Sequence, residues 1–257
     1  FSAKDPDALL ETVAIEEVWG IGPQRAYWCR TQGINTARQL RDMSSVKLRA
    51  KYGVIGIRLQ RELQGHSCMP LELKPPQKKE TCVSRSFSRP ITSMEELSQA
   101  IASHVVNASV KLRRQGQLAG VVTVFTRTGS FNPSFYSQFA TTKLELPSND
   151  TIALLAVSLP LVERIFRPNQ ELRKAGVLMQ QLQNKEYLQQ HLFESHNLKE
   201  IQRRERLMYT IDLLNHRYGS DTVKWAACGL NQEWSMRRNY LSRLSTTNIK
   251  ELPIVKA

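Results

Sequence analysis

The sequence predicts an α+β protein. An all-helical unit comes first, then a β-α-β-β-α-β unit with a four-stranded sheet and both helices on one face, then a small mixed C-terminal extension. Three observations carry this expectation. Short helical patterns between Asp5 and Gln64 are punctuated by Gly33, Gly53 and Gly65. Runs of β-branched or alternating residues between Thr81 and Gln181 are interleaved with two longer helical patterns. The stretch Val18-Trp19-Gly20-Ile21-Gly22-Pro23-Gln24-Arg25 sets two glycines around one aliphatic residue, with proline where a helix can begin.

The first unit, residues 1–70, is expected to open with a short helix from Asp5 to Thr12, with Asp7 as N-cap. The glycine stretch then reads as a hairpin between helices, leading into a helix from Pro23 to about Thr31. Thr36 and Gln39 have capping-box spacing. Ser44 or Ser45 caps a helix through Tyr52, Gly53 ends it, and a last helix runs to Gln64. Glycine leaves no side chain between backbone and ligand, so the N–H groups around Gly20, Ile21, Gly22, Gln24 and Arg25 form a candidate phosphate cradle. An ordinary tight turn is the alternative for a lone Gly-x-Gly. Gly53-Val54-Ile55-Gly56, followed by Arg58 and Arg61, is a fainter second copy of the pattern.

Residues 71–79 form a tether stiffened by Pro75-Pro76 and carrying Lys74, Lys78 and Lys79. In the unit 80–183, strands are expected at Thr81–Phe87, Gly120–Thr126, Phe139–Leu146 and Arg173–Gln181. One helix starts at Ser93, with Glu96 completing a capping box, and buries Leu97, Ile101, Val105, Ala108 and Leu112. Another starts at Asn149 or Asp150, turns Ile152, Leu155, Ala156 and Leu159 inward, and is kinked by Pro160. The sheet face without helices is left open, and Arg85, Arg127 and Lys143 are candidates to project from it. Beyond 184, a helix to Tyr218 and a strand from Thr222 to Ala227 are expected.

The 257 residues carry a formal charge of +13, spread along the chain. A polyanion, nucleic acid first, is the partner such a surface suits. No apolar run approaches a membrane span, and no membrane partner is expected. The four cysteines, Cys29, Cys68, Cys82 and Cys228, form no C-x-x-C pair and fit neither a zinc site nor a disulfide framework. Reduced thiols in a cytoplasmic protein follow. His191 and His196 lack ligand-spaced partners, so no metal site is expected. No P-loop, nucleophile elbow or Cys–His constellation is present.

Val18-Trp19-Gly20-Ile21-Gly22, Gly33-Ile34 and Thr36-Ala37 together resemble the helix–hairpin–helix thumb of Y-family translesion DNA polymerases. Ser84-Arg85-Ser86-Phe87 resembles the opening strand of the family's little finger, a DNA-binding domain of the topology expected here. Gln189-Gln190-His191-Leu192-Phe193 resembles the peptide by which bacterial polymerases dock on the sliding clamp, with Gln190 where an aliphatic residue is usual. Trp225, Trp234, Met236-Arg237-Arg238 and Ser245-Thr246-Thr247 resemble the C-terminal extension (184–257 here) of the UmuC subgroup, the catalytic subunit of DNA polymerase V.

The resemblance implies sequence-blind contacts to primer–template DNA from Gly20, Ile21, Gly22, Gln24, Arg25, Lys78, Lys79, Ser84, Arg85, Ser86, Arg127 and Lys143. It implies clamp docking through Gln189, Leu192 and Phe193. A processed UmuD-like dimer and a recombinase filament are further implied partners, with Trp225 and Trp234 as interface anchors or as a small core of their own. The family's Mg2+-binding carboxylates belong to a palm that precedes the thumb. The chain opens at Phe1, and the expectation is a fragment or processed product with no catalytic residue and no cofactor of its own. In cells it would be nucleoid-associated when active, in error-prone SOS damage tolerance. A stand-alone, non-catalytic DNA- and clamp-binding protein is the alternative. A helix–hairpin–helix module from a nuclease or glycosylase is a more distant one.

Overall fold

The computed structural model describes residues 5–68, 76–129, 135–187, 198–236, 242 and 252. It divides into two compact units, Phe1–Pro76 and Gln77–Ala257, each with its own apolar core.

The first unit is helical: α1 (Pro6–Thr12), α2 (Pro23–Thr31), α3 (Ala37–Asp42) and α4 (Ser45–Leu63). Asp5, not Asp7, caps α1, accepting from the N–H groups of Asp7 and Ala8 at 3.0 and 3.1 Å. Asp7 instead pairs with Arg41 of α3, and this hydrogen bond holds its carboxyl below the usual range. The Thr36–Gln39 capping box forms as the spacing requires. Gly53 interrupts α4 with a φ of 61°, so the two expected helices are continuous in sequence but kinked. Gly56 is buried at the kink: a Cβ there would lie 2.9 Å from Tyr52 Cβ. The second glycine pattern is therefore a bend with a close packing contact. Its Val54 and Ile55 stay exposed.

The second unit follows the order β1 (Thr81–Ile91), α5 (Met94–Arg114), β2 (Gln117–Arg127), β3 (Ser137–Ser148), α6 (Thr151–Ile165), β4 (Leu172–Gln180). The sheet is antiparallel, in the order β1-β4-β2-β3. A short β5 (Gln183–Asn184) pairs with the start of β2, so the sheet has five strands rather than four. Leu97, Ile101, Val105, Ala108 and Leu112 of α5 are fully buried, as their spacing requires. Ser93 caps α5 without a side-chain hydrogen bond. Glu96, expected to complete a capping box, is taken by Arg89.

α6 departs from expectation in phase. Its buried face is Leu154, Leu155, Ser158, Leu161, Val162 and Ile165, whereas Ile152 and Ala156 are exposed. The helix is apolar nearly all round, so periodicity alone did not select the inward face. The helix also runs on through Pro160, which sits on the exposed side. The hydrogen bond that proline cannot give is lost where water can replace it.

α7 (Leu198–Tyr218) is pinned beside α5 and α6. Arg113 of α5 donates to both carboxylate oxygens of Asp212 at 2.7 and 2.8 Å, and to the Asn149 carbonyl at 2.7 Å. The strand expected from Thr222 to Ala227 is absent; the segment is bends and a 3-10 turn at Ala226–Cys228. Among the described residues, no helix is long and apolar enough to cross a membrane.

Candidate nucleic-acid interface

In the helical unit, the hairpin is built around two buried anchors. Val18 and Ile21 point into the core, and the Ile21 N–H donates to the Val18 carbonyl at 2.9 Å, closing the turn. Gly20 takes a φ of 93°, a conformation that suits only glycine. Gly22 caps α2 without a side chain, and Pro23 follows in the first turn. The N–H groups of that turn have no intrahelical partner, and the space where side chains would stand at Gly20 and Gly22 is open. This arrangement presents donors and the positive end of a helix to an anion.

Two of the expected hairpin contacts have other duties. The side chain of Ile21 is buried and its N–H is spent in the turn, so it is an anchor and not a phosphate donor. Arg25 donates to the Gly20 carbonyl at 2.9 Å and lies 5.3 Å from the ring centroid of Tyr52. It braces the turn while adding positive charge beneath it. Burial pushes the Tyr52 hydroxyl up, so it stays neutral and offers Arg25 a ring rather than a charge. Gln24 is exposed, and Trp19 stands at the tip, 78% exposed. A cleft of about 460 Å3 elsewhere in this unit is lined by Glu11, Arg38 and Asp42, whose charges already pair with one another.

In the sheet unit, register decides which side chains share the open face. Opposed residues of an antiparallel pair point the same way. Ser86, Lys174, Arg127 and Ser137 form one row across β1, β4, β2 and β3. Ser84, Gly176, Phe125 and Phe139 form the next, and Val121 with Lys143 lie further along the same face. Ser84, Ser86, Arg127 and Lys143 are thus brought together. Arg85 is not: it opposes the buried Ala175, on the helix-bearing side, and its charge disfavours protonation of the buried His104. The strand alternates strictly, so no triplet such as Ser84-Arg85-Ser86 can point one way.

Lys174, Phe125 and Phe139 were missed as site residues. The signal was available as parity, since Phe139 and Lys143 are four residues apart on one strand. Arg127, Lys143 and Lys174 have no ion-pair partner among the described residues. Lys78 and Lys79 are exposed, and the backbone there is fixed by Gln117, whose amide donates to the Lys78 carbonyl at 2.9 Å. Residues 71–75 of the tether, and Gln189, Leu192 and Phe193 with His191 and His196, lie outside the described residues. Among the described residues, no group of three or more His, Cys, Asp or Glu is placed to hold a metal ion.

Trp234 is 5% exposed and packs edge-on against Phe87, with ring centroids 5.8 Å apart. Trp225 is half-buried against the same core. The tryptophans therefore complete the core of the sheet unit instead of closing one of their own.

Residues 78–192 match the impB/mucB/samB family C-terminal domain, and residues 205–255 match a domain of unknown function, DUF4113. The chain is 33% identical over 255 residues to Protein SamB of Salmonella typhimurium, covering 98% of this chain and 59% of that protein. It is 32% identical over 250 residues to Protein UmuC of Salmonella typhimurium, covering 96% of this chain and 59% of that protein. A more distant relative is DNA polymerase IV of Desulfatibacillum aliphaticivorans, 23% identical over 226 residues, covering 88% of this chain and 55% of that protein. The chain thus spans under two thirds of the length of these relatives. Residues 78–192 thus match an impB/mucB/samB family C-terminal domain, and the chain is similar over nearly its whole length to part of SamB and UmuC.

Proposed function

We propose that this chain is the DNA-gripping and partner-docking part of an error-prone translesion polymerase acting in damage tolerance. In this reading residues 1–70 are the thumb, 71–79 the basic tether, 80–183 the little finger, and 184–257 the clamp-docking peptide with the subgroup's extension. The thumb hairpin grips the DNA backbone through the amides around Gly20, Gly22 and Gln24, while Arg25 supports them. The sheet supplies Ser84, Ser86, Arg127 and Lys143, with Lys174 added, and Lys78 and Lys79 follow the backbone beside it. Gln189, Leu192 and Phe193 dock a sliding clamp, while a UmuD-like dimer and a recombinase filament are partners of the assembled polymerase. In this reading the residues named here bind primer–template DNA, and Mg2+ belongs to the palm of the assembled polymerase.

The observation that carries the reading is that Arg127, Lys174 and Lys143, without ion-pair partners among the described residues, share one open sheet face. Scattered charges on a solvated surface usually face many directions. These share one face with hydroxyls and small residues, as a sequence-blind backbone contact requires. A salt titration tests it. With about four to six phosphates neutralised, log K against log salt on duplex DNA has a slope on the order of −4 to −5. Two unrelated duplexes give the same slope and affinity. A flat dependence, or a strong preference between the duplexes, refutes backbone gripping.

A further inference from the structure

The open sheet face carries more than cations. Its central row is Ser84–Gly176–Phe125–Phe139, running from edge strand to edge strand. A Cβ at Gly176 would stand 2.7 Å from Phe125 Cζ and 2.4 Å from Ser84 Cβ. The missing side chain is what lets the Phe125 ring reach across β4. Beside it Phe139 is 71% exposed, on the face away from the apolar core. The row is bounded on one side by Lys174 and Arg127. On the other, Thr123 bonds Thr141 at 2.8 Å and Gln180 at 2.9 Å, and the Gln180 amide occupies Glu80 at 3.1 Å.

Backbone gripping makes no use of two phenyl rings. Phosphates are met by cations, hydroxyls and amides, and a duplex keeps the faces of its bases stacked inside. Rings on a flat sheet with cations one row away match a different ligand: an unpaired base on the ring and its phosphate on the cation. A protein partner's apolar surface fits less well: cations border the ring row on one side, and on the other the apolar Leu178 and Val121 are interleaved with Thr123, Thr141, Gln180 and Lys143. We propose that this face holds the unpaired bases of a single strand, stacked on Phe139 and Phe125, with the adjoining phosphates on Arg127 and Lys174. The inference rests on the nucleic-acid reading above and names which form of nucleic acid the sheet addresses.

The test compares the full chain and Phe139→Ala on a fluorescein-labelled single strand of mixed sequence and on the duplex of the same sequence. Phe139 is exposed on an edge strand, so the variant keeps the fold. Single-strand affinity falls by about 5- to 100-fold, the loss of a base–aromatic stack, and duplex affinity stays within about twofold. In Phe139→Trp, single-strand affinity is retained, and the indole quenching gained over the unmodified chain appears with the single strand but not with the duplex. Unchanged single-strand affinity in Phe139→Ala, or an equal loss on both ligands, overturns the stacking platform. If salt-dependent duplex binding persists in that case, the backbone reading survives alone. If the unmodified chain binds neither ligand in a salt-dependent way, both readings fall.

Discussion

The two hairpin glycines are not equivalent, and a valine at each separates gripping from folding. Gly22 has φ −84° and ψ 174°, extended backbone that any residue adopts, and a Cβ there meets nothing within 4 Å. Gly22→Val therefore strains no backbone and costs the helical unit about 0.5–1 kcal/mol, the penalty of valine at a helix N-cap, partly offset by a more restricted unfolded chain. Gly20 is held at φ 93°, so Gly20→Val strains the backbone by about 1–3 kcal/mol. In a unit this small that lowers the melting temperature by at least about 4 °C. On DNA both variants place a branched side chain before the amides of the cradle. Losing one hydrogen bond to a charged phosphate is worth about 1.5–3 kcal/mol, or about 10- to 150-fold in affinity. The salt slope should shrink by about one unit. Fluorescence anisotropy on two unrelated duplexes, with a thermal melt of each variant, reads both quantities. Gly22→Val is the decisive variant. If it folds and also binds like the unmodified chain, the hairpin is an ordinary turn.

Two predictions concern the sheet unit. Asp212→Ala leaves the largely buried Arg113 guanidinium without its bidentate partner, and costs about 2–3 kcal/mol, below the range for a fully buried pair because Asp212 keeps 24% of its exposure. Hydrogen exchange in α7 should accelerate selectively; unchanged protection there would show that Arg113 does not pin the helix. His104 is 4% exposed, and burial, aided by Arg85, lowers its pKa to about 4. Between that value and an unfolded pKa of about 6.5, the unfolded chain binds a proton that the folded chain refuses. Stability from this group is therefore full above pH 7 and falls by about 2 kcal/mol on going to pH 5. Denaturant titrations at pH 7 and 5 should show that loss, and His104→Gln should remove it; an equal loss in the variant places its origin elsewhere.

The fold was legible where the chain repeats a period or marks a boundary. The α5 stripe from Leu97 to Leu112, the Thr36–Gln39 box and the alternation of β3 each state their structure locally. Misreadings share a different cause. Glu96 stood in capping-box position, but a cation seven residues upstream in β1 competed for its carboxylate and won. α6 is apolar on every side, so its phase was settled by packing against the sheet and α5. The strand expected at Thr222–Ala227 had the right residue types, yet Asp221 adopts a positive φ and the segment turns instead of pairing. The site followed the same rule. The hairpin announced itself through glycines, which act locally. The open face did not, because membership depends on register among four strands far apart in sequence. Parity excluded Arg85 and admitted Lys174, Phe125 and Phe139.

The segment matched as a domain of unknown function is, up to Trp234, part of the sheet unit rather than an appendage. Cys228 and Trp234 are buried in the same core as Phe87 and Leu97. The Trp234 carbonyl accepts from the Ser88 N–H at 3.1 Å, where β1 has lost its register with β4. Gln232 reaches Ser103 of α5 at 3.1 Å, and Gly229, at φ 71°, fits only because a Cβ would stand 2.4 Å from Gln99 Oε1. These contacts do two things at once. They cover an apolar face of α5 that a bare β-α-β-β-α-β unit would leave wet, and they occupy the end of an edge strand otherwise free to pair with another chain. Burying a tryptophan at such a site is worth about 3–5 kcal/mol against alanine, a large share of the stability of a domain this size. Whatever the rest of that segment binds, its first thirty or so residues are committed to the fold. A force or partner acting on it is transmitted to β1, the strand that carries Ser84 and Ser86 onto the open face.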